Sequence, residues 1–116
     1  MDRLVDSSPK TREWLDVIKS NIKKKSSSLE YKEHKYWASF RNPDKKRNIV
    51  QLHPQKTQIR LFTRLPLTFD DQLEPTPSTG IWAERYPSIF KIKSKQETDK
   101  AIELILKSYR FDLSQQ

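Results

Sequence analysis

The stretch that decides the fold is Lys35–Arg64, KYWASFRNPDKKRNIVQLHPQKTQIRLFTR. Tyr36, Ala38 and Phe40 alternate with Lys35, Trp37, Ser39 and Arg41, the period-two pattern of a half-buried strand. Asn42-Pro43-Asp44 is a turn with proline at its second position. Asn48 to His53 reads as a second strand, His53-Pro54-Gln55-Lys56 as a short connection, and Gln58 to Arg64 as a third strand with Ile59 and Leu61 on one side. The pattern predicts an antiparallel meander whose first loop, 42–47, carries Lys45, Lys46 and Arg47 at its tip.

Working outward, Ser8-Pro9 suits a helix N-cap followed by proline at the first helical position, and Trp14, Leu15, Ile18 and Ile22 recur at helical spacing. A helix over about 9–25 follows, ended by Lys23, Lys24, Lys25 and three serines, while residues 1–8 lack periodicity and read as a flexible start. Beyond the meander, Pro66, Pro75, Pro77, Gly80 and the acids Asp70, Asp71 and Glu74 mark a long loop over 65–80. Ile81–Glu84 and Ile89–Lys93 read as short strands around a Tyr86-Pro87-Ser88 bend. Ser94-Lys95-Gln96-Glu97 is a capping box ahead of an amphipathic helix over about 95–110 with Ala101, Ile102, Ile105, Leu106 and Tyr109 on one face. The expectation is one α+β domain over 9–113 with a short tail at 114–116. It has a mostly antiparallel sheet of about five strands and the N- and C-terminal helices packed on one face.

Composition agrees with a single small domain. The chain has 116 residues, and Leu, Ile, Val and Phe make up 28 of them, enough to exceed the range typical of disordered charged chains. Cysteine is absent, which excludes disulfides, thiolate metal sites and a cysteine nucleophile. No apolar run approaches a membrane span, and the polar start does not read as a signal peptide, so a cytoplasmic protein is expected. The formal net charge is +8, and residues 35–64 alone hold +7, with Asp44 their only acid. A field acts where its sources cluster, so the meander is where partners should be sought.

Alternation puts Lys35, Trp37, Ser39, Arg41, Gln51, His53, Gln58, Arg60, Phe62 and Arg64 on the face opposite Ala38, Phe40, Val50, Leu52, Ile59 and Leu61. Cations hold phosphates and flat rings accept unpaired bases, so this composition suits nucleic acid. The plainer alternative is that Trp37 and Phe62 pack together beneath the 65–80 loop with arginine stems over them. The 42–47 loop suits a basic wing. His34 and His53 lack the partners of a metal site. Glu30-x-Lys32 and Glu33-x-Lys35 lack the strand-end aspartate that a nuclease site needs, and the Asp70, Asp71, Glu74 trio fits a divalent-cation site and, equally, a solvated loop paired with the basic sheet. Phosphate-cradling and nucleophile-elbow glycine motifs are missing. No catalytic residue, metal or cofactor is expected.

Tyr36–Phe40, the run Ile49 to Lys56, Ile59–Phe62, Asp70-Asp71, Gly80-Ile81-Trp82 and the ending Ile102 to Tyr109 together resemble an uncharacterised prokaryotic domain family labelled "predicted transport protein" and often fused to nuclease-like domains. That family is similar in layout to the MmcQ/YjbR-like double-wing domains. The resemblance implies wings at 42–47 and 54–57 and a nuclease-like or restriction-associated partner domain, while Ala83–Pro87 replaces the family's glycine-rich stretch. The expected function is therefore a non-catalytic, weakly sequence-specific nucleic-acid-binding module. Its expected binding residues are Lys35, Trp37, Arg41, Lys45, Lys46, Arg47, His53, Lys56, Arg60, Phe62 and Arg64. The alternative is a protein-interaction or small-ligand-sensing domain with an apolar pocket between the 65–80 loop and Trp82. Oligomeric state is not legible.

Overall fold

A computed structural model describes residues 4–44, 46–77 and 80–115. The elements are α1 (Pro9–Lys25), β1 (Glu30–Glu33), β2 (Ala38–Asn42), β3 (Arg47–Pro54), β4 (Ile59–Thr63), a 3₁₀ turn at Leu67–Phe69, β5 (Glu74–Pro75), α2 (Ile81–Arg85), β6 (Ser88–Ile92) and α3 (Glu97–Ser114). The strands form one antiparallel sheet in the order β1-β2-β3-β4-β6-β5, and α1 and α3 pack on one side of it. This is the expected α+β architecture, with six strands where five were expected.

The helix ends are set by local chemistry. The Ser8 hydroxyl accepts from the Thr11 N–H at 3.2 Å and the Thr11 hydroxyl oxygen accepts from the Ser8 N–H at 2.9 Å, so two donors at the start of α1 are satisfied reciprocally. The box expected at Ser94–Glu97 does not close: the Glu97 carboxylate accepts from the Lys93 N–H at 2.7 Å instead of the Ser94 N–H, the Glu97 N–H donates to the Ser94 hydroxyl at 3.4 Å, and α3 starts after Gln96 without a side-chain cap. α3 continues through Ser114, past the expected end near 110 and into the expected tail.

Three further expectations need correction. Ile81–Arg85 is a helix and not a strand: Gly80 at φ 81° reverses the chain, and the short turn that follows brings Trp82 against Phe62 of the sheet. The 65–80 segment is not wholly loop, since Glu74 and Pro75 pair with Ile89 and Ser88. The start is not loose throughout residues 4–8, because Leu4 is buried in the core and the Leu4 and Val5 N–H groups donate to the His34 and Lys35 carbonyls. β1 lacks an apolar alternation of its own and forms by pairing with β2, which also sets the Tyr31 ring 5.2 Å from Phe40.

Register explains the two faces of the sheet. Ala38, Leu52, Leu61 and Phe90 lie in one cross-strand row and Phe40, Val50, Thr63 and Ser88 in the next. Their apolar members are buried with Trp14, Leu15, Ile18 and Ile22 of α1 and Ala101, Ile102 and Ile105 of α3. Each large aliphatic side chain so buried contributes about 1.5–3 kcal/mol. The opposite face carries the row Ser39, Gln51, Phe62, Ile89 and the row His53, Arg60, Lys91. Between β2 and β3 the pairing shifts: Phe40 opposes Val50, but Arg41 opposes Asn48. The inserted Ile49 is fully buried beside Val50, so the bulge turns Asn48 toward the side of Arg41.

One polar group ties this hairpin to the helices. Asp112 of α3 is buried; its carboxylate accepts from the Arg47 Nε–H at 2.8 Å, from the Arg47 Nη2–H, and from the Asn42 amide at 3.4 Å. Deleting an acceptor that satisfies buried donors costs about 1–3 kcal/mol. Asp112→Ala is therefore expected to lower the unfolding free energy by about that amount and to speed amide exchange at 42–47, as read by denaturant titration and hydrogen exchange.

Candidate functional site

The polar face of the sheet is only half covered. α2 lies over β4 and β6, where Phe62, Tyr86 and Ile89 are buried together with Trp82 packed against them. Trp82 meets Phe62 edge-on at 5.3 Å and Tyr86 at 4.8 Å. His53 stands at the margin of this cluster, 4.9 Å from Phe62 and 6.0 Å from Trp82, and Trp37 continues the row at 6.3 Å from His53 and 3.9 Å from His34. Phe62, 6% exposed, is thus a core residue of the small cluster and not an open platform for a base. Phe62 is packed, as the alternative expected, but under Trp82 of α2 and not under the 65–80 loop, and its neighbour is not Trp37, which stacks on His34.

Between α2 and the β2–β3 hairpin lies a cleft of about 330 Å³ lined by Arg41, Lys46, Arg47, Asn48, Gln51, Arg64, Trp82, Arg85 and Tyr86. Five of these nine side chains are cationic and none is acidic. Each cation comes from a different place: Arg41 from β2, Lys46 from the hairpin tip at φ 52°, Arg47 from the start of β3, Arg64 from just beyond β4, and Arg85 from the last residue of α2. Arg64 is aimed by its surroundings, since its Nε–H donates to the Asn48 carbonyl at 2.9 Å and its guanidinium lies 5.1 Å from the Tyr86 ring centre. Arg47 is engaged by Asp112. Arg41, Lys46, Arg64 and Arg85 make no ion pair among the described residues. The Arg41 Nε is buried without a hydrogen-bond partner, as are the neighbouring Ser39 hydroxyl and the Arg60 Nε on the same face. Buried polar groups left open in this way are costly.

The sequence-expected residues therefore separate into groups. Arg41, Lys46, Arg47 and Arg64 share the cleft. Arg60 and His53 face each other across β3 and β4 on the same sheet face. Lys35 extends over the Tyr36 ring at 5.3 Å. Lys56 is at the far end of the eight-residue β3, roughly 25 Å from the hairpin tip, and its ammonium donates to the Ser7 carbonyl at 3.0 Å. It packs against the approach to α1 and has no part in the cleft; of the two implied wings, only 42–47 adjoins it. Lys45 lies outside the described residues.

Asn48, Trp82, Arg85 and Tyr86 complete the cleft and were not expected there. The bulge conceals the first, and the strand reading of 81–84 conceals the others. The cavity beside Trp82 is lined by cations, amides and the rings of Trp82 and Tyr86, and not by the 65–80 loop that was expected to form an apolar pocket with Trp82. Asp70 does not pair with the sheet. It accepts from Lys100 at 2.5 Å and Lys107 at 3.3 Å, both on α3, which together with the Gln72 N–H lower its carboxyl to about 2. Among the described residues no group of three His, Asp or Glu side chains is placed to hold a metal. No helix among them is long and apolar enough to cross a membrane.

Burial lowers His53 from 6.5 to about 4, and the Arg60 charge acts in the same direction. The ring is neutral at neutral pH and donates from Nε2 to the Gln51 amide oxygen at 3.0 Å. A base whose folded pKa lies below its unfolded value contributes stability that is complete above about 6.5 and is lost as pH falls toward the folded value. Between pH 7 and 5 the protein is expected to lose about 2 kcal/mol from this residue. Urea titration of His53→Gln should show that segment of the pH profile flattened. Comparisons of the chain with protein-family profiles, curated proteins and solved structures give no match.

Proposed function

We propose that this protein binds nucleic acid through phosphate contacts made in the cleft between the β2–β3 hairpin and α2. The observation that carries the reading is the convergence of Arg41, Lys46, Arg64 and Arg85, none of them ion-paired among the described residues, on one cavity without a carboxylate in its lining. Four like charges so close repel one another unless a polyanion sits among them, and guanidinium forks match phosphate oxygens two at a time. Arg60 and Lys91 extend the positive charge along the same face of the sheet, which gives a backbone a track beyond the cleft. Such contacts position a backbone and read little sequence, so binding is weakly sequence-specific. The resemblance to double-wing domains supports the part given to the 42–47 hairpin.

Fluorescence anisotropy with labelled single- and double-stranded DNA and RNA tests the reading. Affinity is expected to fall steeply between 50 and 200 mM salt, with a log–log slope smaller by about 1 for each cleft cation removed, as in Arg41→Gln and Arg85→Gln. Lys56→Gln, at the other end of β3, should leave both affinity and slope unchanged. Absence of binding at low salt, or an affinity indifferent to salt, would refute the proposal.

A further inference from the structure

We infer that the cleft recognises a strand end carrying a terminal phosphate, in preference to a phosphodiester within a chain. The inference rests on the nucleic-acid reading above and deepens it. An internal phosphodiester carries one negative charge and offers two free oxygens. A terminal phosphomonoester carries about −1.5 to −2 at neutral pH and offers three. Four cations without ion-pair partners among the described residues, three of them guanidiniums, exceed what one diester needs and are better used by the higher charge and third free oxygen of a monoester.

Shape points the same way. The cations reach inward from opposite walls, Arg41 and Lys46 from the hairpin side and Arg85 from α2, around a volume of about 330 Å³. That volume is at the lower end of small-ligand pockets, enough for a phosphate with its sugar and base. The aromatic wall supplies a further reason. Trp82 is half-buried, its inner side packed on Phe62 and Tyr86 and the rest of it lining the cleft. The last base of a strand has one face without a stacking neighbour, so it lies on such a ring at less unstacking cost than a base within the strand. The Gln51 and Asn48 amides in the same lining offer hydrogen bonds to that base or its sugar.

The test uses one oligonucleotide in three forms, 5′-phosphorylated, 3′-phosphorylated and hydroxyl at both ends, titrated against the whole protein at one salt concentration. One of the phosphorylated forms is expected to bind about tenfold or more tighter than the hydroxyl form, the yield of one additional charge-assisted contact. Arg85→Gln removes an exposed side chain that the fold does not need, and it should erase that preference while leaving residual binding of the hydroxyl form. Arg41→Gln should do the same, with thermal unfolding as the check that the buried site still folds. Equal, salt-sensitive binding of all three forms overturns the terminal-phosphate inference and leaves the backbone reading standing. Failure of all three to bind removes the nucleic-acid reading itself. A preference that survives in Arg85→Gln places end recognition outside the cleft and overturns the inference as well.

Discussion

Everything in this domain hangs on how β3 divides its residues between two faces. The strand contacts both neighbours in the sheet and both long helices, and its alternation sends Val50 and Leu52 into the core and Gln51 and His53 out of it. Strict alternation would also send Ile49 out. The inserted residue in the β2–β3 pairing resolves the conflict: Ile49 and Val50 are both buried, at the cost of a locally broken ladder. Burying an isoleucine is worth about 1.5–3 kcal/mol, against roughly 1 kcal/mol for a backbone hydrogen bond made to water instead, so the irregular pairing wins. The same displacement brings Asn48 and Arg41 together at the mouth of the cleft. A packing requirement on one face has fixed the polar geometry of the other.

The polar face is itself divided by the brevity of α2. Five residues suffice to cover Phe62 and Ile89 but not the β2–β3 half of the sheet, and the cleft is the step where the cover stops. The helix is held there from behind: the Thr76 N–H donates to the Pro87 carbonyl at 3.1 Å and the Thr76 hydroxyl to the Tyr86 carbonyl. Arg64 and Arg47 are likewise held from behind, by the Asn48 carbonyl and by Asp112. Cations restrained in this way lose less side-chain entropy on meeting an anion than lysines free in solvent.

The sequence disclosed the features that repeat. The period-two run around Ala38 and Phe40 and the helical spacing of Trp14, Leu15, Ile18 and Ile22 located the meander and α1, and Ser8-Pro9 placed the start of α1 at the right residue. What it concealed were features made by a single contact. β1 exists because β2 offers it a ladder, α2 because Gly80 turns and Trp82 finds Phe62, and the anchoring of Leu4 because one leucine reaches the core. The charge of the 35–64 block was plain, but composition cannot say which cations meet. Lys46 and Lys56 are ten positions apart and equal on paper, yet β3 carries them to opposite ends of the sheet. Arg85, outside that block, joins the cleft through tertiary structure alone.

The outer strands have a consequence for how copies of this molecule treat one another. β1 ends the sheet on one side with Glu30, Lys32 and Glu33, and β5 ends it on the other with only Glu74 and Pro75. A naked sheet margin is a template onto which another chain can add, and charge, brevity and proline are three ways of spoiling it. Here the two margins use all three between them. Margins of this kind oppose the strand-upon-strand growth that central strands as apolar as IVQL and IRLF would otherwise invite.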